Sequence, residues 1–347
     1  MAIPELSTSI IIARRKAAWL EFYDLTSARR FLWIIRPREG QPAPRPLPNP
    51  ENTQARIEYA WQQYLYQLER IYWYEDALVP YLDPYTGTEI FAEAFGCRVH
   101  RPADNMPFAL PLVNSAREAE KLRIPDISAA PLALLFEIAD ELRRRAGAEA
   151  VMKLVDIQSP MDIAALIWNK ETFYPALIEM PEAVLELADK VKTLLVRFLE
   201  EWFARYGREF VAHFPEYYMP VGITLSEDEI GAVSPAMFER YFLPELNELS
   251  DHFGGIGMHC CANARHQWKH FKHIRSLRLI NLVQPLDELV AAHAFFEQIT
   301  TQMNGWDISW QVDKGAAQFP SKAHLVLQAN VETRSEAQHL AEMMQRL

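Results

Sequence analysis

The stretch Ile223–Ala262, ITLSEDEIGAVSPAMFERYFLPELNELSDHFGGIGMHCCA, decides how the rest of the chain is read. It opens inside a β-like run, Tyr217–Leu225, which gives way to the acidic loop Ser226-Glu227-Asp228-Glu229. Ser234-Pro235 supplies a helix cap and a first-turn proline, so a helix is expected over Pro235–Phe253. A second β-like run, Gly257–Cys261, closes the unit. Strand, polar loop, helix and strand in that order describe a parallel βαβ crossover.

The same grammar recurs outward from this stretch. Ala77–Leu82 precedes DPYTGTE, Val151–Ile157 precedes QSPMD, Leu277–Val283 precedes QPLDE, and His324–Ala329 precedes NVETRSE. Helical patterns lie between them over Ala130–Ala146 and Pro181–Tyr206. Another runs from Asn52-Thr53 through Ile57, Trp61, Tyr64, Leu68 and Ile71. Six strand–loop–helix units of about eight point to an α/β fold, best fitted by a (β/α)8 TIM barrel; a doubly wound open sheet is the alternative. The segment RPREGQPAPRPLPNPE (36–51) carries six prolines and reads as an extended arm. Residues 1–54 are accordingly expected to form an N-terminal helical and proline-rich extension, and 55–347 a single barrel domain.

Composition narrows the function classes. The chain has 347 residues, of which half are hydrophobic, enough for a large core. Lys and Arg number 35 against 46 Asp and Glu, a net charge of −11. Nucleic acid and anionic membranes call for a basic footprint, so neither is an expected partner. The three cysteines, Cys97, Cys260 and Cys261, are too few for a disulfide framework and suit a reducing, cytoplasmic setting. The short apolar run before Arg14-Arg15-Lys16 has the reverse order of a signal peptide, and no run reaches membrane-spanning length. Neither GxGxxG nor GxxxxGK[ST] occurs.

In a barrel, chemistry sits at the C-terminal strand ends. His259 and Cys261 alternate with Cys260, so they face one point while Cys260 faces away. An imidazole and a thiolate converging suit Zn²⁺, with a third ligand to come from another strand end. Two other readings stand beside it: the cysteines pack as small apolar groups, or Cys261 and His259 form a nucleophile pair, although i, i+2 neighbours on a strand point in parallel. Asp228 and Asp156 are the expected acid–base groups, acting with His259. Asp83, Tyr85 and Glu89 in the loop DPYTGTE are expected to orient a ligand. Gln158 shares a face with Asp156, and Gln284, Gln328 and Asn330 at later strand ends complete the expected substrate-binding set. His266 and His270 have metal-pair spacing, yet without a third donor nearby they read as a solvated helix face.

The stretch Ile223–Ala262 resembles the signature of the uroporphyrinogen decarboxylase superfamily: an acidic loop, a Ser-Pro helix start, a Phe-rich helix with Leu-Pro, and a strand ending in His-x-Cys. DIQSPMDIAALIWNKETFYPALIEMPEAVLELADK (156–190) and GTEIFAEAFGC (87–97) are similar to other parts of that family. The resemblance implies a (β/α)8 barrel, often dimeric, with two chemistries. One branch decarboxylates without a cofactor and grips carboxylates through an Arg-Gln-Ala-Gly-Arg motif; Arg36-Pro37-Arg38-Glu39-Gly40 occurs here instead. The other branch, the corrinoid-linked methyltransferases, uses zinc held by His-x-Cys and a distant Cys. His259 and Cys261 match the first two ligands, and the third position falls among Gln328–Asn330. The resemblance thus implies a zinc-dependent methyltransferase acting on a small molecule with a corrinoid protein partner. The alternatives are a cofactor-independent decarboxylase for a carboxylated substrate and a non-catalytic ligand-binding barrel.

Overall fold

The computed structural model describes residues 5–297, 301–306 and 318–346. Its strands are β1 (Phe31–Pro37), β2 (Tyr81–Leu82), β3 (Val99–His100), β4 (Phe108–Ala109), β5 (Val151–Lys153), β6 (Phe210–Val211), β7 (Tyr218–Met219), β8 (Ile223–Ser226), β9 (Ile256–Cys260), β10 (Leu277–Leu282), β11 (Thr301–Trp306) and β12 (Leu325–Val331). Three sheets contain most of them, in the orders β2-β5-β6-β7, β8-β9-β10 and β11-β12-β1. Pairing within them is parallel except between β6 and β7. β3 and β4 form a separate antiparallel pair.

The sheets follow one another in chain order. Ser226 N–H donates to Ile157 O and Ser159 N–H to Ser226 O, both at 2.8 Å, which joins the end of the β5 segment to β8. Ala77 N–H donates to Trp33 O at 2.8 Å, bringing the approach to β2 against β1. β12, the last strand, pairs with β1 along its whole length. Strand order is therefore that expected of a barrel, but the described residues form three short ladders rather than one unbroken eight-stranded ring. Prolines are part of the reason: Pro80 and Pro84 flank β2 and remove ladder donors on either side of it.

Five strands, β1, β3, β4, β6 and β11, have no counterpart among those expected from sequence. FLWIIRP, β1, lies within residues 1–54, and its unbroken apolar run carries no period that separates strand from helix. TQMNGW, β11, is too polar to stand out. The run expected over Tyr217–Leu225 is split into β7 and β8. Pro220 has no N–H, and Gly222 adopts φ +96, where a Cβ would meet Gly255 O at 2.7 Å. The helices Ala130–Ala146 and Pro181–Tyr206 form over the expected bounds. The helix opened by Ser234 contains a π-helical turn, Phe238–Phe242, between its α-helical parts. Gly257 lets the second sheet close up, since a Cβ there would lie 2.8 Å from Thr224 and 3.1 Å from Leu279 on the flanking strands.

The N-terminal helix Glu5–Tyr23 docks through one buried ion pair. Arg15 Nη1 lies 2.6 Å from Asp76 Oδ1 and also donates to Leu78 O at 2.7 Å. Asp76 accepts the N–H groups of Ile35 and Leu78, so the pair ties the helix to β1 and to the approach to β2. Both side chains are only 1% exposed. Trp19 and Phe22 pack edge to face beside them, fully buried. Among the described residues no helix is long and apolar enough to cross a membrane. Removing one member of a buried pair strands the other charge. Arg15→Ala should lower the unfolding free energy by about 3–5 kcal/mol in urea titrations, whereas Arg15→Met with Asp76→Leu should cost much less.

Candidate active site

His259, the penultimate residue of β9, lies beside Asn281 of β10, its partner in register. Asn281 Oδ1 lies against His259 Nδ1, so Nδ1 carries the proton and donates. This leaves the Nε2 lone pair to accept from the Cys261 thiol at 3.1 Å. Burial keeps the imidazole below its usual pKa, and Asn281, Asp228 and Asp156 only partly oppose that. The Phe214 ring stacks on His259 with centroids 4.9 Å apart.

The contact between His259 and Cys261 corrects the expectation that i, i+2 neighbours run in parallel without meeting. β9 stops at Cys260, and the chain then turns. Asp228 Oδ1 accepts the N–H of Cys261 at 2.6 Å and of Ala262 at 3.3 Å. Gln284 Nε2 donates to Ala262 O at 3.1 Å on the other side of the same turn. Held in this way, the Cys261 thiol swings back to its histidine and stays exposed, while Cys97 and Cys260 are buried.

Asp228 is thus a bracing residue for the turn as well as a nearby charge. Asp156 pairs with His213, Oδ2 to Nε2 at 3.3 Å, and its N–H donates to Thr86 Oγ1. Both carboxylates act electrostatically on the thiol. A cleft of about 350 Å³ is lined by Arg45, Tyr85, Lys153, Asp156, His213 and Phe214 among others. Phe214 is its common wall with His259.

On the far side Asp83 receives Arg45 at 2.7 Å and Lys153 at 3.2 Å, and Lys153 also reaches Glu216 at 2.9 Å. Arg36 completes the row at 2.6 Å from Glu216. Burial alone would raise Asp83, but Lys153 and Arg45 hold it below the usual carboxylate range. Burial would likewise deprotonate Lys153, yet Asp83 and Glu216 keep it firmly charged. Tyr85 lies under the Arg45 guanidinium, 3.8 Å from the ring centroid. A second cavity of about 190 Å³ opens behind this row, and Arg36, Arg45, Arg56 and Arg70 all line it. Arg70 is 4% exposed, and its Nε and Nη2 have no hydrogen-bond partner among the described residues.

The structure therefore gathers His259, Cys261, Asp228, Asp156 and Gln284 around one turn, with Asp83 and Tyr85 on the opposing wall. Gln328 is tied to Pro215 O at 2.8 Å, next to Phe214. Gln158 bridges to Ser226, with its Oε1 buried and without a hydrogen-bond partner among the described residues. Glu89 faces a separate small cavity with Arg56 and Arg101, where burial pushes it up to about 7. Asn330 is exposed at the end of β12 and lines none of these three cavities. Sequence reasoning missed Asn281, His213, Phe214, Lys153, Glu216 and the arginines at 45, 56 and 70. Only Asn281, a lone amide in the apolar run LRLINL, carried a signal that could have found it.

As a zinc site, the pair passes one test and lacks one part. The hydrogen bond from Nδ1 to Asn281 presents Nε2 toward the sulfur, as outer-shell partners of metal-bound histidines do. No third His, Cys, Asp or Glu donor among the described residues lies within 4.8 Å of both. The side chains expected near the last strand, Gln328 and Asn330, are amides; the first is bound to Pro215 O and the second is exposed.

The family model for uroporphyrinogen decarboxylase (URO-D) matches residues 85–333. Among solved structures, a methyltransferase from Methanosarcina mazei superposes with a TM-score of 0.64 over 96% of this chain and 98% of its own, at 11% identity. No curated protein matches the sequence. Both similarities imply the TIM-barrel fold.

Burial first, then the charges of Asp228 and Asp156, push the Cys261 thiol up to about 11. Alkylation of Cys261 in the metal-free protein should therefore climb about tenfold per pH unit from pH 7 to near 11. Asp156→Asn should shift that curve to lower pH. A rate already saturated at pH 8 would contradict the electrostatics described.

Proposed function

The chain belongs to the uroporphyrinogen decarboxylase family, and from that premise we propose that it is a methyltransferase-type enzyme acting on a small molecule. The proposal includes a single (β/α)8 barrel domain over 55–347 that borrows β1 from the preceding segment. It also includes a cytoplasmic setting, a corrinoid protein as partner and a homodimeric assembly. The observation that carries it is the arrangement Asn281–His259–Cys261, with one imidazole nitrogen fixed and the other aimed at a thiol.

His259 Nε2 and Cys261 Sγ are the residues that would hold zinc. A bound zinc ion would supply Lewis acidity, stabilising a substrate thiol as the thiolate that accepts a methyl group. The chain's own residues prepare that place. Asn281 sets the tautomer, Asp228 and Gln284 hold the turn, and Phe214 screens the imidazole from water. Asp156 and Asp228 put negative charge beside a neutral imidazole and a protonated thiol. That field disfavours the thiolate in the metal-free protein and favours a cation beside it. His213, bound to Asp156 at the cleft wall, is placed to receive a proton from a substrate. Cobalt(II) added to the full chain should give a thiolate-to-metal absorption band that Cys261→Ser abolishes. Asn281→Ala should weaken the metal about 10–100-fold. No such band in the wild type removes this reading.

The arginine-lined cavity favours a second reading, a decarboxylase for an acidic substrate. Arg70 has no carboxylate partner among the described residues, and a carboxylate of the substrate would supply one. Asp156 and Asp228 would then handle protons. In this case Arg70→Met should raise KM for a carboxylated substrate at least about tenfold with kcat less affected. Turnover that survives both Asp156→Asn and Asp228→Asn would exclude it.

A further inference from the structure

The segment HQWKHFKHIR places three histidines on the outer side of the β9 loop, and the structure re-pairs them. His266 stays exposed but turns to the preceding crossover, its Nε2 3.0 Å from Val233 O. His270 instead joins His273 at the end of the short helix Trp268–Phe271, where His273 N–H donates to His270 O at 2.9 Å. Both imidazoles face Glu239, which comes from the π-helical turn Phe238–Phe242 of the preceding crossover. Glu239 Oε1 lies 2.7 Å from His270 Nδ1 and 3.7 Å from His273 Nδ1. One donor atom from each of the three residues lies within 4.8 Å of the other two.

We propose that Glu239, His270 and His273 form a divalent-metal site that takes Zn²⁺ and clamps the helix following β8 to the helix following β9. Three observations support it. The donors are two imidazoles and a carboxylate, the borderline set that zinc prefers. The ion-pair partners of Glu239 among the described residues are these two imidazoles, so no lysine or arginine competes for the carboxylate. The two elements are already packed: the Phe238 ring meets Phe271 edge to face at 5.6 Å and His270 at 6.4 Å. Zinc bonds of about 2.0–2.2 Å draw donor atoms to roughly 3.4 Å from one another. Glu239 and His273 are exposed and His270 partly so, and small side-chain rotations close the difference while the backbone stays in place. Water fills the fourth position. π-Helical turns often mark functional positions, and here the turn carries the carboxylate.

The site shares no residue with the His259–Cys261 pair, so the two are separable. Zinc binding is measured on the full chain carrying Cys261→Ser, which removes the thiol of the cleft. That variant should still bind about one zinc per chain at micromolar free metal, and the metal should raise its melting temperature. Its cobalt form should show ligand-field absorption without a thiolate band. Adding His270→Gln and His273→Gln should abolish this binding, and adding Glu239→Gln alone should weaken it at least about tenfold. Circular dichroism of the metal-free variants confirms that they fold. Two results overturn the proposal: no zinc bound by Cys261→Ser, or zinc retained after both histidines are replaced. Failure of the cleft reading shows differently, as a missing thiolate band in the wild type.

Discussion

The geometry of the cleft hangs on a buried carboxylate that is itself outside it. Asp162 sits one turn into the helix Pro160–Ile167, with its N–H capped by Ser159 Oγ at 3.0 Å. Its Oδ2 accepts the N–H of Asp228 at 2.7 Å and its Oδ1 that of Glu229 at 3.0 Å. These bonds set the loop after β8. The loop lets Asp228 grasp the amides of Cys261 and Ala262, and that grip turns the thiol to His259. A cap on one crossover therefore positions a sulfur two strands away. Burial pushes Asp162 up to about 7 despite its hydrogen bonds, and burial with Asp162 raises Glu227 beside it. Buried this close to Asp162, the Glu227 carboxyl is held toward its protonated form, so the two do not both ionise. The loop is thus braced without burying two full charges.

The two walls of the cleft are built on opposite electrostatic principles. Around Cys261, carboxylates face neutral groups, and the imbalance favours a cation. Across the cleft, Arg36, Glu216, Lys153, Asp83 and Arg45 alternate in sign along one row of ion pairs. Each member there holds its neighbour charged against burial. Behind that row the balance shifts again. Among the described residues, Arg56 donates only to the carbonyls of Pro84 and Tyr85, and Arg70 has two nitrogens without a hydrogen-bond partner. A small ligand spanning the cleft would meet negative potential at one end and positive at the other.

Local chemistry written in consecutive residues is legible in the amino-acid sequence. The helices Ala130–Ala146 and Pro181–Tyr206, the Ser234-Pro235 start and the strand that carries His259 all follow from period and capping. The parallel order follows from their alternation. β1 and β11 escape because a two-sided apolar run and a polar edge strand both lack the alternation that marks a half-buried strand. The metal-like spacing of His266 and His270 misleads in a different way. Spacing along a helix gives no information about residues from another crossover, and Glu239 comes from one.

His-x-Cys at a strand end, the acidic loop and the βα grammar were determined by the sequence itself, because each depends on neighbours within a few residues. The tertiary structure alone decided that Asn281 fixes the tautomer of His259, that Asp228 bends Cys261 back to it, and that four arginines from the arm, a strand and a helix line one cavity. Those groups are distant along the chain. Only packing, which must satisfy every buried donor and charge at once, brings them within hydrogen-bond reach.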